Sequence, residues 1–183
     1  MKRTTRILCA LIICCIAIEV AKAQTAKVVS REPSVFTPEE ENGGVFHNAP
    51  HPSDVVLDAL FKTKEAKEYG LRERGREEAR NLFKAVKVHL ANPDEVDWIV
   101  LGSDQMSGAD NNWFWVVREV GNHAEVLLYA NALGLATLSS QTNGYKDIKT
   151  HWNAPSGYAI DETFKYDGNR YKVISKHNYK MSQ

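Results

Sequence analysis

The stretch WFWVVREVGNHAEVLLY (residues 113–129) predicts an antiparallel hairpin. Its first run is aromatic and β-branched, its last run is apolar, and a Gly-Asn pair at 121–122 supplies the tight turn between them. Because side chains alternate along a strand, we expect Trp113 and Trp115 on one face and Phe114 on the other. The centre of the chain is therefore predicted to be part of a β-sheet.

Similar short runs continue on both sides of the hairpin. Turn residues separate them, as in the Asp-Gly-Asn sequence at 167–169, and the short connections predict antiparallel neighbours. The sequence has no βαβ alternation and no repeat of fixed period. The further predicted strands are residues 86–90, 98–101, 135–138, 145–150, 159–166 and 171–174.

A helical segment precedes the predicted strands. Ser53 can accept a backbone N–H bond at a helix start, and Gly70 suits a helix end after Tyr69. The charged residues 72–80 predict a solvated helix or linker. One face of the first helix carries an apolar stripe formed by Val56, Leu57, Leu60 and Phe61. We expect this stripe to cover the sheet face that carries Val86, Val88, Ile99, Leu101, Val116, Leu127 and Ile148.

Together these elements predict an α+β fold with one domain at residues 53–179. In this fold a short N-terminal helical part packs on a curved antiparallel β-sheet of about seven or eight strands. Residues 24–52, which contain Pro, Glu and Gly, predict an extended leader that docks through its two Val-Phe pairs, at 35–36 and 45–46. The lysine-containing tail after Ile174 is expected to be exposed.

Residues 1–23 predict a secretory signal peptide. Residues 2–6 form a basic end, residues 7–18 are apolar but too few for a stable membrane span, and an Ala-Lys-Ala sequence at 21–23 offers small residues before the cleavage point. All three cysteines lie inside this segment, so the mature chain is expected to form no disulfide. Export predicts a periplasmic or secreted location.

The charge balance argues against nucleic acid as a partner. The chain has 23 Lys and Arg residues and 23 Asp and Glu residues. Because the signal segment contains more basic than acidic residues, the mature domain is slightly acidic and lacks the basic footprint of a nucleic-acid binder. After cleavage, no apolar run approaches the roughly 18 residues that a membrane helix needs. The sequence leaves the oligomeric state open.

The second half of the chain resembles a recurring layout in small exported bacterial domains of uncharacterised function. The shared segments are a strand ending in a Gly-containing loop, an aromatic strand, an NGYxDI turn and a closing YDGxxY hairpin. In this chain they occupy residues 98–102, 108–115, 143–148 and 166–171. The resemblance concerns turns and hairpin aromatics, so it implies a fold and supplies no catalytic residues.

The Gly-rich loop at residues 102–112 is predicted to form the ligand-binding surface, together with an exposed sheet edge. Loops of this length between strands often carry function, because a rigid sheet can aim them. Aromatic rings beside carboxylates and amides can hold a sugar or a peptide. The candidate ligand-binding residues are Asp104, Asp110, Asn111, Asn112 and Trp113. The alternative for Trp113 and Trp115 is that both pack in the core.

The sequence predicts no metal site, no cofactor and no catalytic set. His47 and His51 have Pro50 between them, so they do not share a helix face, and no third ligand is nearby. The oxygen-rich turn at residues 92–97 lacks a glycine for the sharp bend of a calcium loop. No serine lies in a Gly-x-Ser-x-Gly context. Asp147 and Asp161 are candidates for acid–base carboxylates, but each fits a turn or a strand edge, where a surface carboxylate is ordinary.

These observations predict a cell-envelope binding domain rather than an enzyme, one that recognises or inhibits another envelope or secreted protein. Two alternatives stay open. A hydrolase acting on cell-envelope polymers would use Asp104, Asp110 or His123 as acid–base groups, and at least two of them would have to converge on one cleft. A sugar-binding module would need an aromatic ring face exposed beside Asn111 or Asn112.

Overall fold

A computed structural model defines the fold. It describes residues 32–38, 44–91, 95–103, 106 and 111–180. The signal peptide predicted at 1–23 lies outside these residues and stays a prediction. The described helices are α1 (Asp54–Leu60), α2 (Lys64–Glu68) and α3 (Arg76–Asn81). The strands are β1 (Val35–Phe36), β2 (Phe83–Val88), β3 (Val96–Gly102), β4 (Asn112–Val120), β5 (His123–Ala132), β6 (Gly134–Thr142), β7 (Tyr145–Ala154), β8 (Tyr158–Tyr166) and β9 (Tyr171–Lys180).

The strands form two antiparallel sheets. One has the order β1-β6-β7-β8-β9 and the other has the order β2-β3-β4-β5. The α+β class with antiparallel strands is confirmed, but the predicted single curved sheet is wrong, because the nine described strands divide into two sheets. The chain passes from one sheet to the other at Leu133, the one residue between β5 and β6. The sequence around this point is a nearly continuous run of strand residues, so it does not indicate the change of sheet.

Two apolar layers hold the fold together. One lies between the two sheets and contains Phe114 and Ile148. The other lies between the four-stranded sheet and the helices and contains Leu57 and Trp115. The layers therefore follow the order helices, four-stranded sheet, five-stranded sheet. The prediction that Trp113 and Trp115 face one side of the sheet and Phe114 the other is confirmed.

The helices cover the opposite sheet face from the one that the sequence predicted. They pack against the face that carries Ala85, Val100, Trp115 and Val117. The predicted contact residues belong instead to the layer between the sheets, in which Val88, Ile99, Leu101, Val116, Leu127 and Ile148 are buried and against which Val86 packs. Both faces of β3 and β4 are apolar, so alternation separates the faces without showing which one meets the helices.

The predicted helix start is confirmed, and the predicted single helix is divided in two. The Ser53 hydroxyl accepts a hydrogen bond from the Val56 amide at 3.3 Å. Thr63 begins the second helix, because its hydroxyl oxygen accepts from the Ala66 amide at 3.2 Å and donates to the Leu60 carbonyl at 2.7 Å. One threonine therefore satisfies backbone groups on both sides of the break.

The charged segment forms α3, a solvated helix as predicted, and ion pairs connect it to α1. The Arg76 guanidinium lies 2.9 Å from a carboxylate oxygen of Asp54 and 2.8 Å from one of Asp58. These side chains are exposed, so the pairs orient the two helices more than they stabilise the fold.

Strand β1 of the leader and strand β9 of the tail both belong to the five-stranded sheet. In the leader, Phe36 and Phe46 are buried between the sheets as predicted, whereas Val35 is 55% exposed. The tail stays in the sheet after Ile174, because β9 continues to Lys180 and remains paired with β8. Its side chains are exposed after the first residue of the strand, in agreement with the prediction for the tail.

Two tight turns connect the last strands of this sheet. Asn143 and Gly144 adopt φ values of +50° and +82°, which suits the turn between β6 and β7. In the last hairpin, an Asp167 carboxylate oxygen accepts hydrogen bonds from the amides two and three residues further on. Tyr166 lies opposite Tyr171, and their ring centroids are 5.7 Å apart, so the predicted cross-strand pair is confirmed.

Candidate functional site

The predicted ligand loop ends in a side chain that links the two sheets. Asn111 is only 6% exposed. Its Nδ2 atom donates to the Asn153 carbonyl at 3.0 Å, and its Oδ1 atom accepts from the Asn153 amide at 3.0 Å. The amide side chain thus pairs with β7 as the backbone of a neighbouring strand would, just before β4 begins.

The next two candidate residues lie at the start of β4. Asn112 is 9% exposed. Trp113 is partly buried, and its ring meets those of Tyr69, Trp115 and Tyr129 edge to face at centroid distances of 5.7, 5.9 and 5.7 Å. Trp113 therefore belongs to the apolar layer on the helix side of the sheet.

The other loop candidates, Asp104 and Asp110, lie outside the described residues. His123 is exposed at the start of β5. The hydrolase alternative requires at least two of these three groups to converge on one cleft. That requirement stays a prediction, as does the role of the loop in ligand binding.

Replacing Asn111 with alanine is expected to lower the free energy of unfolding by about 2 kcal/mol, because the amide and carbonyl of Asn153 lose their partners in a largely buried position. Urea unfolding measures the effect. Asn178→Ala on the exposed strand β9 is the matched control, with an expected change below about 0.5 kcal/mol. Equal stabilities of the two variants would contradict a link between the sheets through Asn111.

A cleft of about 400 Å³ lies on the outer face of the five-stranded sheet. Leu135 is buried between the sheets, so its neighbours Gly134 and Ala136 point the other way and form the floor of the cleft. Val35 of β1 lines one side. The opposite side is polar and is lined by Lys149, His151, Asp161 and Tyr179. We call this space the outer-face cleft.

The polar side chains of the outer-face cleft converge on one carboxylate. Asp161 Oδ2 lies 2.7 Å from Lys149 Nζ, and Asp161 Oδ1 lies 2.8 Å from His151 Nδ1. The Tyr179 hydroxyl oxygen lies 3.2 Å from the same Nδ1 atom. Each oxygen of the carboxylate is therefore engaged by a nitrogen from β7.

The charge state of Asp161 assigns the histidine proton. Partial burial raises the pKa of Asp161, but the hydrogen bonds from Lys149 and His151 outweigh it and hold this pKa below its ordinary value. An ionised carboxylate only accepts hydrogen bonds, so the proton of His151 is on Nδ1. Within the described part of the chain, the Nε2 atom makes no hydrogen bond.

Strand β9 forms one edge of the same sheet. Among the described residues it pairs with β8 alone, so the backbone groups along its other side have no strand partner. Val173, Ile174 and Tyr179 are 50%, 53% and 36% exposed. The strand carries lysines at positions 172, 176 and 180 and no acidic residue. An edge of this kind offers hydrogen-bonding groups to an added strand.

A buried carboxylate lies at one end of the layer between the sheets. Asp97 is fully buried, its Oδ2 atom accepts from the Leu90 amide at 3.0 Å, and its Oδ1 atom has no partner among the described residues. Burial raises the pKa of Asp97 to about 6, against the lowering effect of the Leu90 hydrogen bond and the Arg118 charge.

Arg118 organises the aromatic side chains beside this carboxylate. Its guanidinium donates to the Tyr145 hydroxyl at 2.7 Å and to the Tyr166 hydroxyl at 3.0 Å, and it also pairs with Glu125. The rings of Tyr145 and Tyr166 lie 4.2 Å apart. The rings of Tyr145 and Tyr166 pack against the Arg118 guanidinium. This cluster therefore belongs to the interior of the sandwich and does not form an open site.

Neither a metal centre nor a membrane helix is found in the part of the chain that the structure describes. No three His, Cys, Asp or Glu side chains there are grouped to hold a metal ion. His51 Nδ1 lies 2.8 Å from the Phe83 carbonyl oxygen, so this histidine is already engaged with the backbone of β2. No described helix is long and apolar enough to cross a membrane.

Comparisons with protein-family models, curated proteins and solved structures found no match for this chain.

The outer-face cleft was missed by sequence reasoning because it depends on strand register. Alternation places Lys149 and His151 on the same face of β7, which is the one signal that the sequence offers. The register then places Asp161 opposite His151, and His177 opposite Asp161. Asp161 alone therefore looks like an ordinary carboxylate on a strand.

Proposed function

We propose that this protein is an exported binding domain that recognises another envelope or secreted protein by accepting an extended segment of it alongside β9. The open edge of this strand carries the proposal. It is ten residues long, and Val173 and Ile174 are half exposed on it. Export rests on the signal peptide predicted at residues 1–23.

Strand addition explains how such a surface would bind. Backbone hydrogen bonds to the edge supply affinity, and alternate side chains of the added strand supply specificity. The exposed apolar residues of β9 would be covered in the complex, which removes apolar surface from water.

The charge of β9 defines the chemistry of the partner segment. Its three lysines favour an acidic sequence, and they also discourage pairing with arbitrary strands, since a charged edge resists aggregation. Lys172 Nζ lies 3.9 Å from a carboxylate oxygen of Asp167, and Lys176 Nζ lies 3.2 Å from one of Glu162, so acidic residues of a partner would share these two lysines with carboxylates of the domain itself. An extended segment with alternating apolar and acidic residues is the expected partner.

Ile174→Glu is expected to abolish capture of the partner, because it places a negative charge at the centre of the edge. The measurement is affinity capture from envelope extract and culture medium with the mature protein. Val120→Glu is the matched control, because Val120 is 61% exposed but lies in the other sheet. This control is expected to retain the partner. Asp110→Ala in the same assay tests the contribution of the predicted loop.

Hydrogen exchange then locates the contact. The purified partner is expected to slow amide exchange along β9 and to leave β2, an edge of the other sheet, unchanged. Retention of the partner by Ile174→Glu, or unchanged exchange along β9, would rule out strand addition at this edge.

A further inference from the structure

We propose that the outer-face cleft binds a small organic acid, with the carboxylate of the ligand against the polar side and its apolar body over the floor. This site goes beyond the recognition of a protein partner at β9. It rests on the shape of the cleft, on its division into two halves and on the hydrogen-bonding groups that its polar half leaves available.

The cleft exists because small residues lie at its floor. Ala136 occupies an outward position of β6 where a larger side chain would fill the space. A Cβ atom at Gly134 would lie 3.0 Å from Thr37 Cγ2 and 3.3 Å from the Phe36 carbonyl oxygen. The glycine therefore lets the segment around β1 pack closely against β6, and this segment forms the apolar side of the cleft.

The polar half presents hydrogen-bond donors. The two oxygens of Asp161 are occupied by Lys149 and His151. The Lys149 ammonium keeps N–H groups that Asp161 does not use. Because the one hydrogen on His151 Nδ1 is donated to Asp161, this nitrogen cannot accept a hydrogen bond from Tyr179, and the hydroxyl hydrogen of Tyr179 is left to donate to a ligand.

The balance of charge selects a single carboxylate. Lys149 and Asp161 neutralise each other, so the cleft offers directed donors and only a small positive potential near the ammonium. A monoanion with an acceptor group matches this better than a dianion. An amine would meet the lysine and would find the one carboxylate already engaged. A volume of about 400 Å³ suits a small ligand with an apolar body.

The test is a titration of the mature protein with sodium octanoate, followed by NMR through the amide signals of residues around the cleft. Octanamide and octylamine share the apolar body but lack the carboxylate, so they are the matched control ligands. N-acetyl-leucine distinguishes a free acid from the C-terminal carboxylate of a peptide. The variants are Lys149→Met and Ala136→Phe, and Lys165→Met on the same sheet is the control.

We expect octanoate to bind at least about tenfold more tightly than octanamide or octylamine, with shifts centred on the cleft. Lys149→Met is expected to weaken octanoate binding about tenfold, and Ala136→Phe to abolish it by filling the floor. Lys165→Met is expected to bind as the native protein does. Tighter binding of N-acetyl-leucine would also support carboxylate recognition and identify a peptide end as its source.

Three results would overturn the proposal. These are no binding of either acid at concentrations on the order of 10 mM, equal binding of octanamide and octanoate, or unchanged binding in Lys149→Met. Thermal unfolding of each variant separates loss of binding from loss of the fold. Ile174→Glu is expected to bind octanoate normally, so failure of strand addition at β9 and failure of this site are distinguishable.

Discussion

Trp115→Ala is expected to lower the free energy of unfolding by about 4 kcal/mol, the largest effect of any single substitution considered for this fold. Trp115 is fully buried at the centre of the four-stranded sheet, on the side that meets the helices. Its ring lies 5.5 Å from that of Phe83 and 5.4 Å from that of Tyr129. Truncation therefore removes these contacts and leaves a cavity between sheet and helices, which urea unfolding measures.

Trp115→Phe is the matched control for this prediction. It keeps an aromatic ring and removes the indole N–H, which has no hydrogen-bond partner among the described residues. Removing an unpaired buried donor is favourable and offsets part of the cost of the lost ring volume. The free energy of unfolding is therefore expected to fall by only about 1 to 2 kcal/mol. Similar stabilities of the alanine and phenylalanine variants would contradict a packed environment around this ring.

Asp97→Asn is expected to remove a pH dependence of stability that amounts to about 2 kcal/mol between pH 4 and pH 7. The pKa of Asp97 is about 6 in the folded protein, whereas an unfolded aspartate has a pKa of about 3.9. Asp97 therefore stays protonated to a higher pH in the folded state than in the unfolded state. The stabilising effect is fully present below about pH 4 and is lost as the pH rises through about 6.

Asparagine is neutral at every pH and still offers an oxygen to the Leu90 amide, so the variant lacks this dependence. The readout is the difference in unfolding free energy between the native protein and the variant. It is measured by urea unfolding at intervals of about one pH unit, from about pH 4 to about pH 8. We expect the variant to gain stability relative to the native protein as the pH rises. A constant difference across this range would show that the buried group is not the source.

Local signals predicted much of the fold. The turn at 121–122, the hairpin at 166–171 and the helix cap at Ser53 all depend on residues close in sequence, and each is observed. The division into two sheets and the sheet face that meets the helices depend on how strands with two apolar faces stack. Residues 98–101 fit either layer equally well, so the sequence contains no preference that could decide between them.

The candidate site was less accessible to prediction. The loop residues were chosen for their chemistry, but the side chain of Asn111 is used to pair with backbone. The exposed sheet edge was predicted as a class of surface, whereas its identity as β9 depends on strand order. Lys149, His151 and Asp161 meet through register across two strands, and no spacing along the chain encodes that meeting.

The pairing of β1 has a consequence for the order in which the protein acquires its structure. Val35 pairs with Ala136, a residue about a hundred positions later, and loop closure over such a distance is slow. The segment around β1, which is synthesised early, can therefore lock into place only after β6 has been synthesised. Until then Phe36 stays uncovered, and the nascent segment around it remains accessible to chaperones and proteases.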